Sequence, residues 1–205
     1  MPELHGYRME GASDAELDTA EAELGRRFPE AFRALYRWSN GGSDLGGMLS
    51  LERLRREGQD ELSVVTSSRL MREWEWEIPD ELVIFGGDGS DENYGLWLPE
   101  GGDPESAWVI QVGEIFGDPN LAVVGTRLER FLLWLSVWMF GAPETAGEPA
   151  LDALGVPAEL RSWEWDREDE AKYAAIAWAD PDLPDPRPDP YHRGLDGDGV
   201  RALLG

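Results

Sequence analysis

Residues 79–98, PDELVIFGGDGSDENYGLWL, decide the fold. Residues 82–85 form an unbroken apolar run. Residues 86–93 are polar and dominated by Gly and Asp, which suit tight turns for backbone reasons. The chain then returns through residues 94–98, with Tyr94, Leu96 and Leu98 on one face and Trp97 on the other. Two strand-length runs around a polar turn predict an antiparallel hairpin with a long loop. Residues 108–112 and 121–124 read as two more strands downstream. Upstream, residues 48–51 read as a short strand, and 52–56 as a helical turn.

Helical patterns flank this β region. Ser13 and Glu16 form an S-x-x-E capping box, followed by Leu17, Ala20 and Leu24 at helical spacing and by Gly25 as a stop. A second helix is predicted to start at Pro29 as a first-turn residue, with Phe28, Phe32, Leu35 and Tyr36 on its apolar face. It stops at Asn40-Gly41-Gly42. Ser67 is predicted to cap a third helix carrying Leu70, Met71 and Trp74. Trp74, Trp76 and Ile78 also alternate, so a strand fits there equally well. Thr126 and Glu129 make a second capping box ahead of a helix over 127–140. That helix contains FLLWLSVWMF, apolar almost all round, and should lie buried against the sheet. Trp38, Trp134 and Trp138 fall in helical patterns and read as core.

Residues 141–148 have linker composition, and the chain beyond them changes character. Residues 151–165 suggest a short helix and turn. Residues 167–179 suggest a helix with Tyr173, Ile176 and Ala177 facing inward. Residues 180–190, DPDLPDPRPDP, are proline-spaced and extended in character. The expected organisation is therefore an α+β domain over 1–145, with an acidic, Pro-rich extension over 146–205. The expected fold is a mainly antiparallel sheet with N-terminal and C-terminal helices packed on one face.

Composition narrows the function. Acidic residues number 42 against 18 basic ones, for a net charge of −24. Lys172 is the sole lysine. Such a charge argues against direct nucleic-acid binding, which needs Lys/Arg patches on phosphate, and against anionic membrane surfaces. It attracts a basic partner instead. The acids are not confined to the extension: residues 146–205 hold 14 against 6 basic residues, and the rest of the chain is about as dense. There is no cysteine, hence no disulfide, thiolate metal site or Cys nucleophile. The start, MPELHGYRMEGAS, has no apolar signal-peptide core. The run at 131–140 is about half the length of a membrane span. A cytoplasmic location is expected.

The ordered pieces carry a resemblance. Glu21, Leu24-Gly25, Phe28-Pro29, the Phe32/Leu35/Tyr36 helix and Asn40-Gly41-Gly42 follow one another. Later come Ile78-Pro79, Leu82, Ile84-Phe85, Gly87-Asp88-Gly89 and Tyr94, then the segment 123–135. Together, over about residues 13–140, they resemble the SUKH superfamily, which includes bacterial immunity proteins of toxin systems and fungal regulators of cell-wall assembly. Residues 43–77 match the pattern poorly, and the region after about 145 lies beyond it. The resemblance implies an α+β fold with helices on one face of a mainly antiparallel sheet, and leaves the function of this member open.

Little here suggests catalysis. The Asp88-to-Asn93 loop has carboxylates in a turn, as calcium sites do, but not the spacing of an EF-hand loop. Asp196-Gly-Asp198-Gly is half such a motif. Both read first as solvated turns. Gly86-Gly87-Asp88-Gly89 lacks the Lys-Ser/Thr of a phosphate cradle. His5 and His192 lie in terminal segments, so no Ser-His-Asp arrangement is placed. Trp74, Trp76, Trp97, Trp163 and Trp165 have acidic neighbours and read as partly exposed, a combination that suits an interface receiving Arg or Lys side chains. The expectation is a non-catalytic protein-binding module without cofactor or metal: an immunity protein that occludes a basic toxin. Its expected contact residues are Asp88, Asp91, Glu92, Tyr94 and Trp97 of the strand-loop-strand, with Trp74 and Trp76. The alternatives are a regulatory or scaffold protein of the same fold, and a small-ligand binder or enzyme. Oligomeric state stays open.

Overall fold

The computed structural model describes residues 7–45, 49–55, 63–73, 78–88, 93–115, 118–141, 152–153, 155–160, 168–183 and 197–204. Seven strands form one sheet: β1 Tyr7–Arg8, β2 Gly42–Leu45, β3 Leu49–Leu51, β4 Leu82–Gly87, β5 Asn93–Trp97, β6 Trp108–Ile115 and β7 Asp118–Gly125. Their spatial order is their chain order, and each neighbouring pair is antiparallel. The helices are α1 Asp14–Leu24, α2 Glu30–Trp38, α3 Val64–Glu73, α4 Leu128–Gly141, α5 Glu168–Ala179 and α6 Gly197–Leu204. The fold is α+β.

The central hairpin runs as read, with Leu82 opposite Trp97 and Gly87 opposite Asn93. Its first strand extends two residues into the stretch read as turn. β3 explains this, because Leu51 and Ser50 pair with Gly86 and Gly87. A Cβ on Gly86 would stand 2.3 Å from the Ser50 carbonyl oxygen, so only glycine admits that approach.

The alternation of β4 sorts its side chains onto two faces. Val83 and Phe85 enter a core built with α1, α2, α4, α5 and the start of α3. An aromatic chain runs through it: Phe32 to Phe85 at 5.8 Å, Phe85 to Phe131 at 6.2 Å, and Phe131 to Trp134 at 5.4 Å between ring centres. Two polar groups that enter this core meet backbone partners. The Tyr36 hydroxyl donates to the carbonyls of Glu52 at 2.9 Å and Phe85 at 3.2 Å. Burial, with the Glu52 charge second, pushes this phenol well above its usual range. Trp134 Nε1 donates to the Val124 carbonyl at 2.9 Å. Trp38 packs half-buried against this core, and the side chain of Trp138 lies outside the described residues.

Leu82 and Ile84 face the other way, with Trp97, Ile110, Val112 and Leu121. Met71 of α3 and Val200 and Leu204 of α6 pack against that side. The helices on one face are therefore joined by α6 on the other, an element not anticipated from the sequence.

Several local readings change. Ser13 and Glu16 do form the capping box. Pro29 is the N-cap of α2, one position before its first turn. Ser63, not Ser67, opens α3: its Oγ accepts the Thr66 N–H at 3.2 Å. Ser67 and Ser68 sit buried within the helix, where Ser68 Oγ accepts the Ile84 N–H at 2.9 Å. The helical half of the ambiguity at Trp74 reaches Glu73, and residues 74–77 lie outside the described residues.

Thr126 lies two residues ahead of α4, and Asp180, just after α5, engages it. The Asp180 carboxylate accepts the Thr126 backbone N–H at 2.6 Å and its hydroxyl at 2.9 Å. Asp180 is 1% exposed. Arg130 adds a bond to the Ala179 carbonyl at 3.0 Å. Residues 168–183 thus dock on the domain, and Ile176, Ala179 and Leu183 join its main core. On α5 the inward stripe is Ala175, Ile176 and Ala179; Ala177 is exposed, and the Tyr173 side chain lies outside the described residues.

Candidate protein-binding surface

Position in the sheet decides which of the expected contact residues meet solvent. β5 is central and covered on both faces. Tyr94 is therefore 2% exposed, its ring 4.9 Å from that of Phe131, and Trp97 is 4% exposed on the opposite face. The reading of Trp97 as partly exposed is overturned: the alternation that marked a strand also drives both its faces into cores. Neither ring is offered to a partner. Asp88 is half-buried at the end of β4. Asp91, Glu92, Trp74 and Trp76 lie outside the described residues, as do Trp163 and Trp165.

The half calcium motif also resolves differently. Asp198 lies in the first turn of α6 and accepts Arg201 at 2.9 Å. Among the described residues no three His, Asp or Glu side chains stand close enough to hold a metal ion. No described helix is long and apolar enough to cross a membrane.

Surface acids fall into two kinds. Those of α1 are tied to arginines. Arg33 reaches Asp14 at 3.3 Å, Asp18 at 2.9 Å and Glu21 at 3.1 Å; Arg37 reaches Asp14 at 2.8 Å and Glu30 at 2.6 Å. The hydrogen bond from Arg37, with its charge, holds the Asp14 carboxyl below the usual carboxylate range. Much of the negative field of α1 is neutralised on the spot.

The turn between β5 and β6 is different. Residues 99–106, PEGGDPES, carry Glu100, Asp103 and Glu105 and no basic residue. All three acids are exposed, yet the turn is braced. Asp103 Oδ1 accepts the Glu105 N–H at 3.1 Å and closes a single 3-10 turn over Pro104–Ser106. Glu105 Oε1 accepts the N–H of Glu30 at 2.8 Å. Its charge thus sits at the positive end of α2. The Leu98 N–H bonds the Glu81 carbonyl at 2.7 Å, which sets Asp80 beside the same sheet end. Asp80 is 86% exposed, with Arg72 Nε at 3.5 Å. Glu100, Asp103 and Glu105, with Asp80 beside Arg72 and Glu30 beside Arg37, form an acidic rim there, at the opposite end of the hairpin from the loop that the sequence pointed to. The available signal was the base-free acidic run itself, which reads as an ordinary Pro/Gly turn.

Such a rim holds its charges at fixed positions and can draw in a cationic surface. The family model described as SMI1 / KNR4 family (SUKH-1) matches residues 11–134 of the chain. The matched span runs from just before α1 into α4 and takes in most of the sheet. No curated protein matches the chain.

Proposed function

This chain belongs to the SMI1/KNR4 (SUKH-1) family, and we propose that it is a non-catalytic protein-binding module that neutralises a cognate toxin by occluding its active surface. Family membership is consistent with an immunity or a regulatory module. The observation that carries the immunity reading is the braced acidic rim, whose turn over 99–106 carries no basic residue, on a molecule of net charge −24. A toxin that acts on nucleic acid needs a basic face. A rigid row of carboxylates can stand in for phosphate and steer that face into register. The partner is accordingly a basic protein. The hairpin loop carrying Asp88, Asp91 and Glu92 is a second acidic contact in this reading, with Tyr94 and Trp97 acting beneath it as support.

The test is capture of partners from host lysate on the tagged chain, at low and at high salt, read by mass spectrometry. The expected result is a single basic protein held at low salt and lost at high salt. Its association with the Glu100→Arg/Asp103→Arg chain should slow by about tenfold or more at low salt. An on-rate indifferent to salt and to these substitutions sinks the charge-steering argument. Absence of any partner at either salt favours a regulatory member of the family with no toxin.

A further inference from the structure

The second face of the sheet has a cover of an unusual kind. Its floor is Leu82, Ile84, Trp97, Ile110, Val112 and Leu121, each no more than 4% exposed. Over it lies α6, only eight residues long. A helix of that length does not hold its shape in water and depends on its seat.

The seat is read by four positions. A Cβ on Gly197 would stand 2.6 Å from Pro79 Cγ, so the helix begins flush against the β4 entry. Val200 is fully buried in the apolar cluster, and Leu204 packs on it half-buried. The Arg201 guanidinium forks onto Glu81, Nε to Oε1 at 2.8 Å and Nη2 to Oε2 at 2.9 Å. The pattern is a small residue, an aliphatic three positions on, an arginine at four and an aliphatic at seven. It is the pattern of a helix-in-groove ligand.

We propose that this face is a helix-binding groove, that α6 is its built-in and displaceable occupant, and that the partner enters with a cationic amphipathic helix of the same pattern. This rests on the protein-binding reading above. Three observations carry it. Among the described side chains of α6, one buried aliphatic, one half-buried aliphatic and an arginine 47% exposed are a light anchorage for so apolar a floor. α6 is joined covalently to α5 through a connection that contains Pro184, Pro186, Pro188 and Pro190, so it competes at a finite effective concentration. And Glu81, the acceptor for the arginine, adjoins Asp80 on the acidic rim, so a basic partner steered by the rim meets the groove next.

The probe is a fluorescein-labelled peptide of residues 193–205, titrated into the full-length chain and into its Val200→Asp variant, whose own helix is unseated. The variant should bind the peptide about tenfold or more tighter than the wild type, because the tethered competitor is gone. Adding Glu81→Arg should abolish binding, and a peptide carrying Arg201→Glu should restore it. Equal affinity for both chains, or no binding to a Val200→Asp chain that still unfolds cooperatively, overturns the proposal. Should that variant not fold, Arg201→Glu in the full chain, probed with the unmodified peptide, gives the same two readings. A lysate partner captured equally by wild type and Val200→Asp overturns the competition and leaves the protein-binding reading intact. Peptide binding with no captured partner removes that reading and the partner helix with it, leaving the groove and its occupant.

Discussion

The two faces of the sheet are closed by different means. The first is closed by five helices, an aromatic chain and three polar side chains with partners: Tyr36 on Glu52 and Phe85, Trp134 on Val124, Asp180 on Thr126. The second is closed, among the described residues, by Met71, Ile78, Val200 and Leu204. On that side α3 is tied to β4 by Ser68 and Arg72, whereas the polar tie of α6, Arg201 to Glu81, lies near the surface. Floors of similar apolar character thus have walls of different permanence. What distinguishes them is how many independent elements, and how many buried hydrogen bonds, must be undone to open each.

The largest test of that contrast is Phe131→Ala. Phe131 touches Phe85, Tyr94 and Trp134, so truncation should leave a cavity at the centre of the first face. About 3–5 kcal/mol of stability should be lost in urea unfolding. A loss below about 1 kcal/mol would mean that the first face is not the permanent one.

Asp180→Ala comes next. It leaves the Thr126 N–H and hydroxyl without their acceptor in a buried place. A loss of about 1–3 kcal/mol is expected by chemical unfolding. An unchanged midpoint would show that α5 is a loose appendage, and would place it with α6 rather than with the first face.

The smallest effect belongs to the second face and is read by pH. The hydrogen bond from Arg201 holds the Glu81 carboxyl below its ordinary range, with burial opposing. A carboxylate depressed in the folded state contributes stability above its unfolded value and loses it as pH falls through the folded one. Below about pH 4.5, amide exchange across 197–204, corrected for intrinsic rates, should therefore quicken while the amides of β4 and β5 keep their protection. Uniform quickening across both regions erases the contrast.

The first face was largely legible in the sequence. The Ser13/Glu16 box, the Phe32/Tyr36 stripe, the 79–98 hairpin and the apolar helix over 127–140 are periodic signals set by local geometry, and each corresponds to an observed element. The second face was not. Val200, Arg201 and Leu204 are three positions in an eight-residue helix, too few to register as a period, and they follow a proline-spaced stretch that reads as extended. Thr126 shows another limit. Its spacing to Glu129 matches a capping box, but a carboxylate 54 positions away engages its hydroxyl. The candidate site failed in the same way. Trp97 was placed on the right strand and the right face, yet whether that face meets water depends on α6, far along the chain. Local patterns assign faces, and only the distant chain covers them.

The strand order has a consequence for how the molecule is made. Every ladder joins strands that are neighbours along the chain, so each can close as soon as the later strand leaves the ribosome. The helices of the first face are interspersed with the strands or follow soon after them, so that side is sealed almost as it is synthesised. The helix over the second face comes after α4 and α5 as well as all seven strands, beyond a stretch of prolines. For that interval the nascent chain presents Trp97, Ile110 and Leu121 without their lid, a surface fit for a chaperone or for an early partner.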